Sequence, residues 1–327
     1  MSSIFDVLPG IEVPVGEISK RLARMWSDTA AEGGTAPDAD DAKATQVNFV
    51  LHLGLQTTAD DAAAQFQTLV KFSRRYPCRT VVLCPQSAAE DKGGMEIRAK
   101  IYGECHFGKS KSDKRCVEFV MLNYSRAARG FLENQVSICL STDLPLYYWA
   151  HRFSASSKLA DYRYLLGRAK RVLLDSAIAP EGALTYPWPN PSTLRDLVYS
   201  RLLPVRQTVG QFIAGYAPQA VAEGLKQVVI AHGTDLSAEG RALAGWLQRR
   251  LAACGAAEID CQLKSEGEHK LAIEFHYADA EKKFHWQGDL KSGHAHFKCN
   301  LNGALSELST SMSLLPSETA LSEAMFF

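Results

Sequence analysis

The sequence DLPLYYWAHRF at residues 143–153 is followed by RVLLDSAI at 171–178 and by DLVYSRLLPVRQTVGQF at 196–212. The first two stretches each contain a short apolar run that ends in a polar or aromatic residue, which is typical of buried strands. The third has apolar residues at helical spacing, with Arg201 and Arg206 among them. Strands that alternate with helices predict an α/β architecture with a largely parallel sheet.

The segments before this stretch extend the same alternation. Strands are predicted at 47–56, 78–84, 96–107, 116–122, 146–149 and 172–174, and helices at 14–28, 60–74, 126–135 and 158–167. Residues 96–107 alternate apolar with polar side chains and, with 116–122, predict an antiparallel hairpin at the edge of the sheet. We therefore expect an N-terminal α/β domain over 1–190, with a mobile loop at the Gly- and Asp-rich residues 29–44.

The second half of the chain predicts a smaller α+β domain over 217–327. A helix over 191–216 is expected to bridge the two domains, with Pro204 kinking or dividing it. Beyond it lie a strand at 227–231, a helix at 237–254 and a meander of short strands at 258–264, 271–277, 282–288 and 295–301.

Composition narrows the classes of function. Of 327 residues, 46% are hydrophobic and 22% charged, as in soluble globular proteins. The net charge is zero and the pI is about 7.1, so bulk electrostatics do not favour nucleic acid or an anionic membrane as partner. The first residues, MSSIFDVLPGIEV, lack a basic region followed by a long apolar one, so we expect no secretory signal and a cytoplasmic protein.

One motif predicts nucleotide binding. GECHFGKS at 103–110 matches the phosphate-loop pattern, with Lys109 for the phosphates and Ser110 for Mg²⁺, and Asp175 resembles the acidic strand end that helps hold the metal. A phosphate loop must open a helix, however, because the helix N-terminus supplies amides to the phosphate. The residues after Ser110 predict a strand instead, so a hairpin tip is the preferred interpretation.

The eight cysteines include no Cys-x-x-Cys pair, and most are expected to be buried thiols. Cys105 and Cys116 lie on the two strands of the predicted hairpin, and in one interpretation they face each other. They are therefore the candidates for a redox role. His294 and His296 lie two apart on a predicted strand, a spacing that metal sites use. Solvated side chains are the preferred interpretation, and neither a metal nor a cofactor is predicted.

Several short segments resemble the OpcA family, the glucose-6-phosphate dehydrogenase assembly proteins. In order along the chain they are Pro77-Cys78-Arg79, Gly103-Glu104, Asp143-Leu144-Pro145 leading into Trp149, Asp175-Ser176-Ala177, Asp196-Leu197, Arg201-Leu202, Pro204 and Arg206. The resemblance covers most of residues 45–215 and, more weakly, the remainder. Two positions depart from the family pattern: Trp149 stands alone where members often have paired tryptophans, and Val205 replaces an aromatic residue.

The resemblance implies an α/β N-terminal part, a separate C-terminal domain and no catalytic residues. It also implies a protein that binds glucose-6-phosphate dehydrogenase and promotes its assembly or activation in the oxidative pentose phosphate pathway, with redox control in some members. Aromatic residues and arginines dominate protein interfaces. The candidate contact residues are Tyr148, Trp149, Asp175, Ser176, Arg201, Arg206, Phe326 and Phe327.

Two alternatives remain open from sequence. The first is a nucleotide-dependent enzyme that uses Lys109, Ser110 and Asp175. The second is a sugar-phosphate sensor whose ligand sits at the carboxyl ends of the parallel strands, near Trp149 and Asp175. Self-association is not predicted either way.

Overall fold

The structure is a computed structural model that describes residues 3–31, 36, 45–107, 114–256 and 259–327. It divides into two compact units. The first comprises the residues up to Asp196 together with Ala324–Phe327, and the second is Leu197–Glu323. The division therefore lies inside the segment predicted as a bridging helix.

An eight-stranded sheet forms the centre of the first unit. Its strands are β1 Ile11–Val13, β2 Val47–Leu53, β3 Cys78–Pro85, β4 Ile97–Phe107, β5 Lys114–Tyr124, β6 Leu146–His151, β7 Ala169–Leu174 and β8 Leu194–Asp196. Across the sheet they run in the order β1-β4-β5-β3-β2-β6-β7-β8. All neighbours from β5 to β8 pair in parallel, whereas β4 is antiparallel to both β1 and β5. The predicted α/β class and the edge hairpin are confirmed.

Helices cover both faces of this sheet. They are α1 Ile18–Ala31, α2 Ala59–Arg75, α3 Arg129–Cys139, α4 Ser156–Ala160 and α5 Arg163–Arg168. Helix α2 packs on one face, where the ring of Phe66 lies 4.8 Å from that of Phe119 and Phe72 lies 5.7 Å from Phe49. The other four helices share a buried apolar cluster on the opposite face. The buried strands read as continuous apolar runs because both faces are covered.

The chain reverses its direction across the sheet between β2 and β6. From β2 it moves outward through β3 to the hairpin of β4 and β5, then returns through α3 to pair β6 with the free side of β2. In open α/β sheets such a switch point leaves a crevice at the carboxyl ends of the strands, where ligands bind.

The single bridging helix predicted over 191–216 is wrong. Leu194–Asp196 form strand β8 beside β7, and two separate helices follow, α6 Leu197–Arg201 and α7 Leu203–Ile213. Pro204 lies in the first turn of α7, where its missing N–H breaks no helical hydrogen bond. The expectation that Pro204 divides the helix is confirmed. Hydrogen bonding to β7 overrides the helical apolar spacing at the start of the segment.

The second unit contains a six-stranded sheet of order β10-β9-β11-β12-β13-β14. Its strands are β9 Leu225–His232, β10 Asp260–Ser265, β11 Lys270–Tyr277, β12 Lys283–Asp289, β13 His294–Asn300 and β14 Ser306–Ser311. The remaining helices are α8 Pro218–Ala222, α9 Ser237–Ala253 and α10 Ser317–Phe326. The meander is confirmed for β11 to β13. It is wrong for the strand at 258–264, because β10 pairs in parallel with β9.

Aromatic side chains fill the core of the second unit. Phe212 of α7 stacks on Phe297 with ring centroids 4.2 Å apart, and Phe284 and Trp286 are also fully buried beside them. Among the described residues, no helix has both the length and the apolar character that crossing a membrane requires.

Candidate functional site

A pocket of about 430 Å³ opens at the carboxyl ends of β2, β3, β5 and β6. Its wall is built from the loops that follow these strands, and it lies on the sheet face that carries α3 and α4. The lining residues are His52, Leu53, Gly54, Leu55, Pro85, Gln86, Ala88, Asp91, Tyr124, Arg126, Arg129, Phe153, Ser154, Ala155, Lys158, Leu159 and Tyr162. The pocket therefore occupies the crevice that the switch between β2 and β6 creates.

Gly54 allows the chains that leave β2 and β6 to touch. Its amide donates to the carbonyl oxygen of His151 at 2.7 Å. A Cβ atom on Gly54 would lie only 2.0 Å from the carbonyl oxygen of Arg152. Arg152 itself has a φ of 49°, a left-handed conformation that costs a residue with a side chain roughly 1 kcal/mol or more. The close crossing and the turned backbone together shape the floor of the crevice.

A buried hydrogen-bond network lies behind the pocket wall. His52 contacts the hydroxyl of Tyr148 through Nδ1 and that of Tyr124 through Nε2, the latter at 2.7 Å. Tyr124 and Tyr162 hydroxyls lie 3.3 Å apart, and Arg129 Nε donates to the Tyr162 hydroxyl at 3.1 Å. The network thus connects the sheet interior to a cation at the pocket rim.

The network is uncharged apart from Arg129. Burial, and then the nearby Arg129 charge, lowers the pKa of His52 to about 3. Burial also raises the pKa of Tyr124 and of Tyr148 well above the usual value. A neutral imidazole has one donor and one acceptor nitrogen, so one tyrosine hydroxyl donates to His52 and the other accepts from it.

Three basic side chains surround the mouth of the pocket. Arg126 and Lys158 are exposed, and Arg129 is half-buried over the ring of Tyr162. The acidic residue of the lining is Asp91, which accepts from the backbone amide of Arg126 at 2.9 Å. With His52 neutral, the lining carries an excess of positive charge.

A second polar cluster lies at the same sheet edge on the α2 face. Asp61 Oδ2 accepts from His151 Nε2 at 2.7 Å and from Arg152 Nε at 2.6 Å. Burial raises the pKa of Asp61, but hydrogen bonds from His151, Gln65 and Arg152 outweigh it and hold the pKa below its usual value. Burial lowers the pKa of His151, and this effect outweighs the hydrogen bond and the charge of Asp61, which raise it. We assign an ionised Asp61 and a neutral His151, because Arg152 supplies the compensating charge.

The aromatic residues predicted to contact a partner are buried. Tyr148 is fully buried and its hydroxyl binds His52, while Trp149 is 3% exposed and packs edge-on against His151. Strand β6 lies between β2 and β7, and all six of its residues are buried, so neither its edges nor its faces reach the surface. Their assignment as contact residues is therefore corrected: both belong to the interior of the sheet, and a partner does not reach them in this conformation.

Asp175 and Ser176 form the turn after β7. Ser176 donates to Asp196 of β8 through both its amide and its hydroxyl, the latter at 2.8 Å, and Asp175 Oδ1 accepts from the Ala177 amide at 3.0 Å. These contacts explain why the residues occur in this order: they join the last two strands of the sheet. Neither residue lines the pocket.

The remaining contact candidates differ in exposure. Arg201 Nε donates to the buried Glu239 at 2.7 Å, and the Arg206 guanidinium lies 3.7 Å from the ring centroid of Tyr199. Phe326 packs against Tyr76 and Tyr147. Phe327 is 83% exposed.

Cys105 and Cys116 are direct cross-strand neighbours in the hairpin and form a disulfide. The expectation that these two thiols face each other is met. The broader expectation of isolated buried thiols is wrong for this pair, because the register of β4 with β5 brings them together.

The phosphate-loop interpretation is not supported. Gly103 to Phe107 belong to β4 and pair along their length with β5. Gly103 instead gives space to α1, since a Cβ atom there would lie 2.4 Å from Met25 and 2.6 Å from Trp26. Lys109 and Ser110 lie outside the described residues.

The pocket residues were not found from sequence as a group. His52 interrupts the apolar run VNFVLHL, and Gly54 follows directly after it. Arg126 and Arg129 come after β5 in the same way. Polar residues or a glycine at the end of a buried strand are the sequence feature that could have indicated this pocket. The carboxyl ends of parallel strands lie at the same side of a sheet, so residues at these ends come together.

The fold and its pocket define a doubly wound α/β unit followed by an α+β unit. Residues 70–186 match a family model described as "Glucose-6-phosphate dehydrogenase subunit N-terminal domain", the OpcA glucose-6-phosphate dehydrogenase assembly family. The match covers just over a third of the chain and confirms the predicted resemblance. The matched range includes the last six residues of α2 and the strands from β3 to β7.

Two further comparisons add little. No curated protein matches the chain. Among solved structures, dipicolinate-bound dihydrodipicolinate reductase from Paenisporosarcina sp. TG-14 aligns with a TM-score of 0.36 at 9% identity, over 86% of this chain and 92% of that one. A likeness at this level does not bear on function.

Proposed function

We propose that the protein is a non-catalytic accessory protein that binds glucose-6-phosphate dehydrogenase and promotes its assembly or activation. The match of residues 70–186 to the dehydrogenase subunit family is the observation that carries this proposal. The accessory protein acts by binding an active oligomeric or conformational state of the enzyme more tightly than an inactive one. Only such a difference in affinity shifts the population, and a tenfold shift requires about 1.4 kcal/mol.

The contact surface is proposed on α3, inside the matched range. Phe131 is 51% exposed and Ile138 is 68% exposed, while Leu132 and Val136 of the same helix are buried. Residues seven apart lie on the same side of a helix, so Phe131 and Ile138 share one side of α3. Asn134 and Gln135 lie between them, and the two apolar side chains are here named the α3 strip. Apolar side chains of this size are the usual anchors of an interface. The partner for this strip is the dehydrogenase named in the family description.

Other candidates remain part of the proposal. Phe327 is available as a second apolar contact because it is largely exposed. Arg201 and Arg206 would contact the enzyme only if they exchange their present partners, Glu239 and Tyr199. Reduction of the Cys105–Cys116 disulfide is a candidate control step, since it would free the end of the hairpin.

The first experiment tests association directly. The purified protein is expected to co-elute with the glucose-6-phosphate dehydrogenase of its host on size exclusion and to raise the enzyme's activity or shift its oligomeric state. Both measurements are made with and without reductant, because a redox-controlled contact changes between the two. Failure to co-elute together with unchanged activity under both conditions contradicts the proposal.

The second experiment tests the α3 strip. Phe131→Gln combined with Ile138→Gln is expected to weaken binding to the dehydrogenase by about tenfold or more, because well-buried apolar anchors are each worth more than about 1 kcal/mol. Met95→Gln is the matched control: Met95 is 66% exposed, lies in the same family range and is outside the strip. Equal binding by the double variant and the wild type would assign the contact elsewhere. Loss of binding by the Met95 variant would show that the effect is not specific to α3.

A further inference from the structure

The pocket at the β2–β6 switch point combines positive charge with an uncharged polar and apolar wall. Arg126, Arg129 and Lys158 reach its mouth, and Phe153 and Leu159 form part of its side. A pocket of about 430 Å³ falls within the size range of small-molecule sites. Each part of this arrangement restricts the chemistry of the ligand.

Arg129 is paired with Asp161, but the other two cations at the mouth have no ion pair among the described residues. Within the described part of the chain, neither Arg126 nor Lys158 has an ion pair, and Asp91 is the acidic member of the lining. The Asp91 carboxylate accepts from the backbone amides of Arg126 and Gly93, which together with the nearby charge of Arg126 hold its pKa below the usual value. Two cations therefore lack a fixed partner, and an anionic group of the ligand would supply it.

Arg129 is fixed in place before any ligand arrives. Its Nε donates to the Tyr162 hydroxyl at 3.1 Å, and its Nη2 contacts both the carbonyl oxygen of Lys158 and Asp161 Oδ2, the latter at 3.3 Å. The guanidinium also lies 4.9 Å from the ring centroid of Tyr162. A guanidinium held in this way loses little side-chain entropy on binding an oxyanion, and its planar donors match phosphate geometry.

The inner wall has a different character. Tyr124, Tyr162 and His52 line it, and all three are nearly buried and uncharged. Their polar groups already bond within the network, so this wall offers a sugar a neutral surface with the remaining acceptor capacity of the two tyrosine hydroxyls, and the apolar side of Phe153 covers a ring face. A bare inorganic anion would leave this part of the pocket unused.

We propose that this pocket binds a sugar phosphate, with the phosphate on Arg126, Arg129 and Lys158 and the sugar directed toward Tyr124, Tyr162 and Phe153. The proposal goes beyond the accessory function and does not require it. It assigns the chain a metabolite site of its own, at a different place from the Trp149 and Asp175 surroundings suggested by sequence.

The test uses the isolated full-length protein, so that its outcome is separate from binding to the dehydrogenase. Glucose 6-phosphate is expected to raise the melting temperature and to give a saturable isotherm in calorimetry, because a ligand of the native state stabilises it. Glucose without phosphate is expected to bind at least about tenfold more weakly, since the charged contacts are lost. Inorganic phosphate is also expected to be weaker, because it leaves the inner wall without a ligand.

Variants locate the site. Arg126→Gln combined with Lys158→Gln is expected to weaken glucose 6-phosphate binding by about tenfold or more. Both side chains are exposed, so the fold is expected to be retained. Lys71→Gln, an exposed lysine of α2 outside the pocket, is the control for charge removal alone. The proposal is overturned if the double variant binds as the wild type does, if glucose binds equally well, or if inorganic phosphate binds as tightly as the sugar phosphate.

Discussion

Gly54→Ala is expected to lower the free energy of unfolding by at least about 3 kcal/mol. The new methyl group would lie 2.0 Å from the carbonyl oxygen of Arg152 and 2.7 Å from the amide nitrogen of Phe153. These atoms belong to the backbone, so no side-chain rotation relieves the clash. The strands β2 and β6 would have to separate at their carboxyl ends. Chemical denaturation followed by circular dichroism measures the loss, and failure of the variant to fold has the same meaning.

Gly130→Ala is the matched control for that substitution. Gly130 lies in the first turn of α3, and no atom lies within 4 Å of the position its Cβ would take. Alanine in a helix is more stable than glycine by roughly 0.5–1 kcal/mol, so this variant is expected to be neutral or slightly stabilised. If Gly54→Ala were as stable as Gly130→Ala, the close crossing of the two strands would be refuted.

Acidification is expected to destabilise the protein through His52. The imidazole pKa is about 3 in the folded chain, against 6.5 when it is unperturbed. The unfolded state therefore binds the proton first, so stability is retained above pH 6.5 and declines as the pH falls from there toward about 3. Between about pH 7.5 and pH 5 the loss from this one group is about 2 kcal/mol. Burial of His151 lowers its pKa too and adds to the loss in the same direction.

The His52→Gln variant isolates this effect. It is expected to be less stable than the wild type at neutral pH, because the hydroxyls of Tyr124 and Tyr148 lose a partner. Between about pH 7.5 and pH 5, however, the variant should lose about 2 kcal/mol less stability than the wild type loses. His294→Gln, which removes an exposed imidazole outside the network, is the control for the loss of a histidine side chain as such. An unchanged slope in the His52 variant would mean that this histidine does not titrate as inferred.

Most of the first sheet could be predicted from sequence because strands that are buried on both faces consist mainly of apolar residues. Val47–Leu53 and Cys78–Pro85 are mostly apolar and short, which is typical of strands buried on both faces. Leu194–Asp196 could not be recognised in this way. Three residues hold too little periodicity, and their conformation depends on Val172–Leu174, which lie about twenty residues earlier in the chain.

The site was less predictable than the fold for a related reason. The aromatic sequence Tyr147-Tyr148-Trp149 suggests a contact surface only when the position of β6 is unknown. The strand lies inside a sheet that is covered on both faces, and this buries the three side chains. The pocket residues come from four separate loops, and each loop alone has an ordinary polar composition. The order of the strands in the sheet brings these residues together, and the pattern of apolar and polar residues does not specify that order.

The three-residue strand β1 has a consequence for solubility. It lies at the rim of the sheet, where it pairs with Ala99 to Ile101 of β4. Lys100 anchors the chain before it by donating to the carbonyl oxygens of Phe5, Asp6 and Leu8. Without β1, this part of β4 would offer unpaired amides and carbonyls to a strand of another molecule. We therefore expect β1, held by the buried ammonium group of Lys100, to lower the tendency of these three residues of β4 to pair with another molecule.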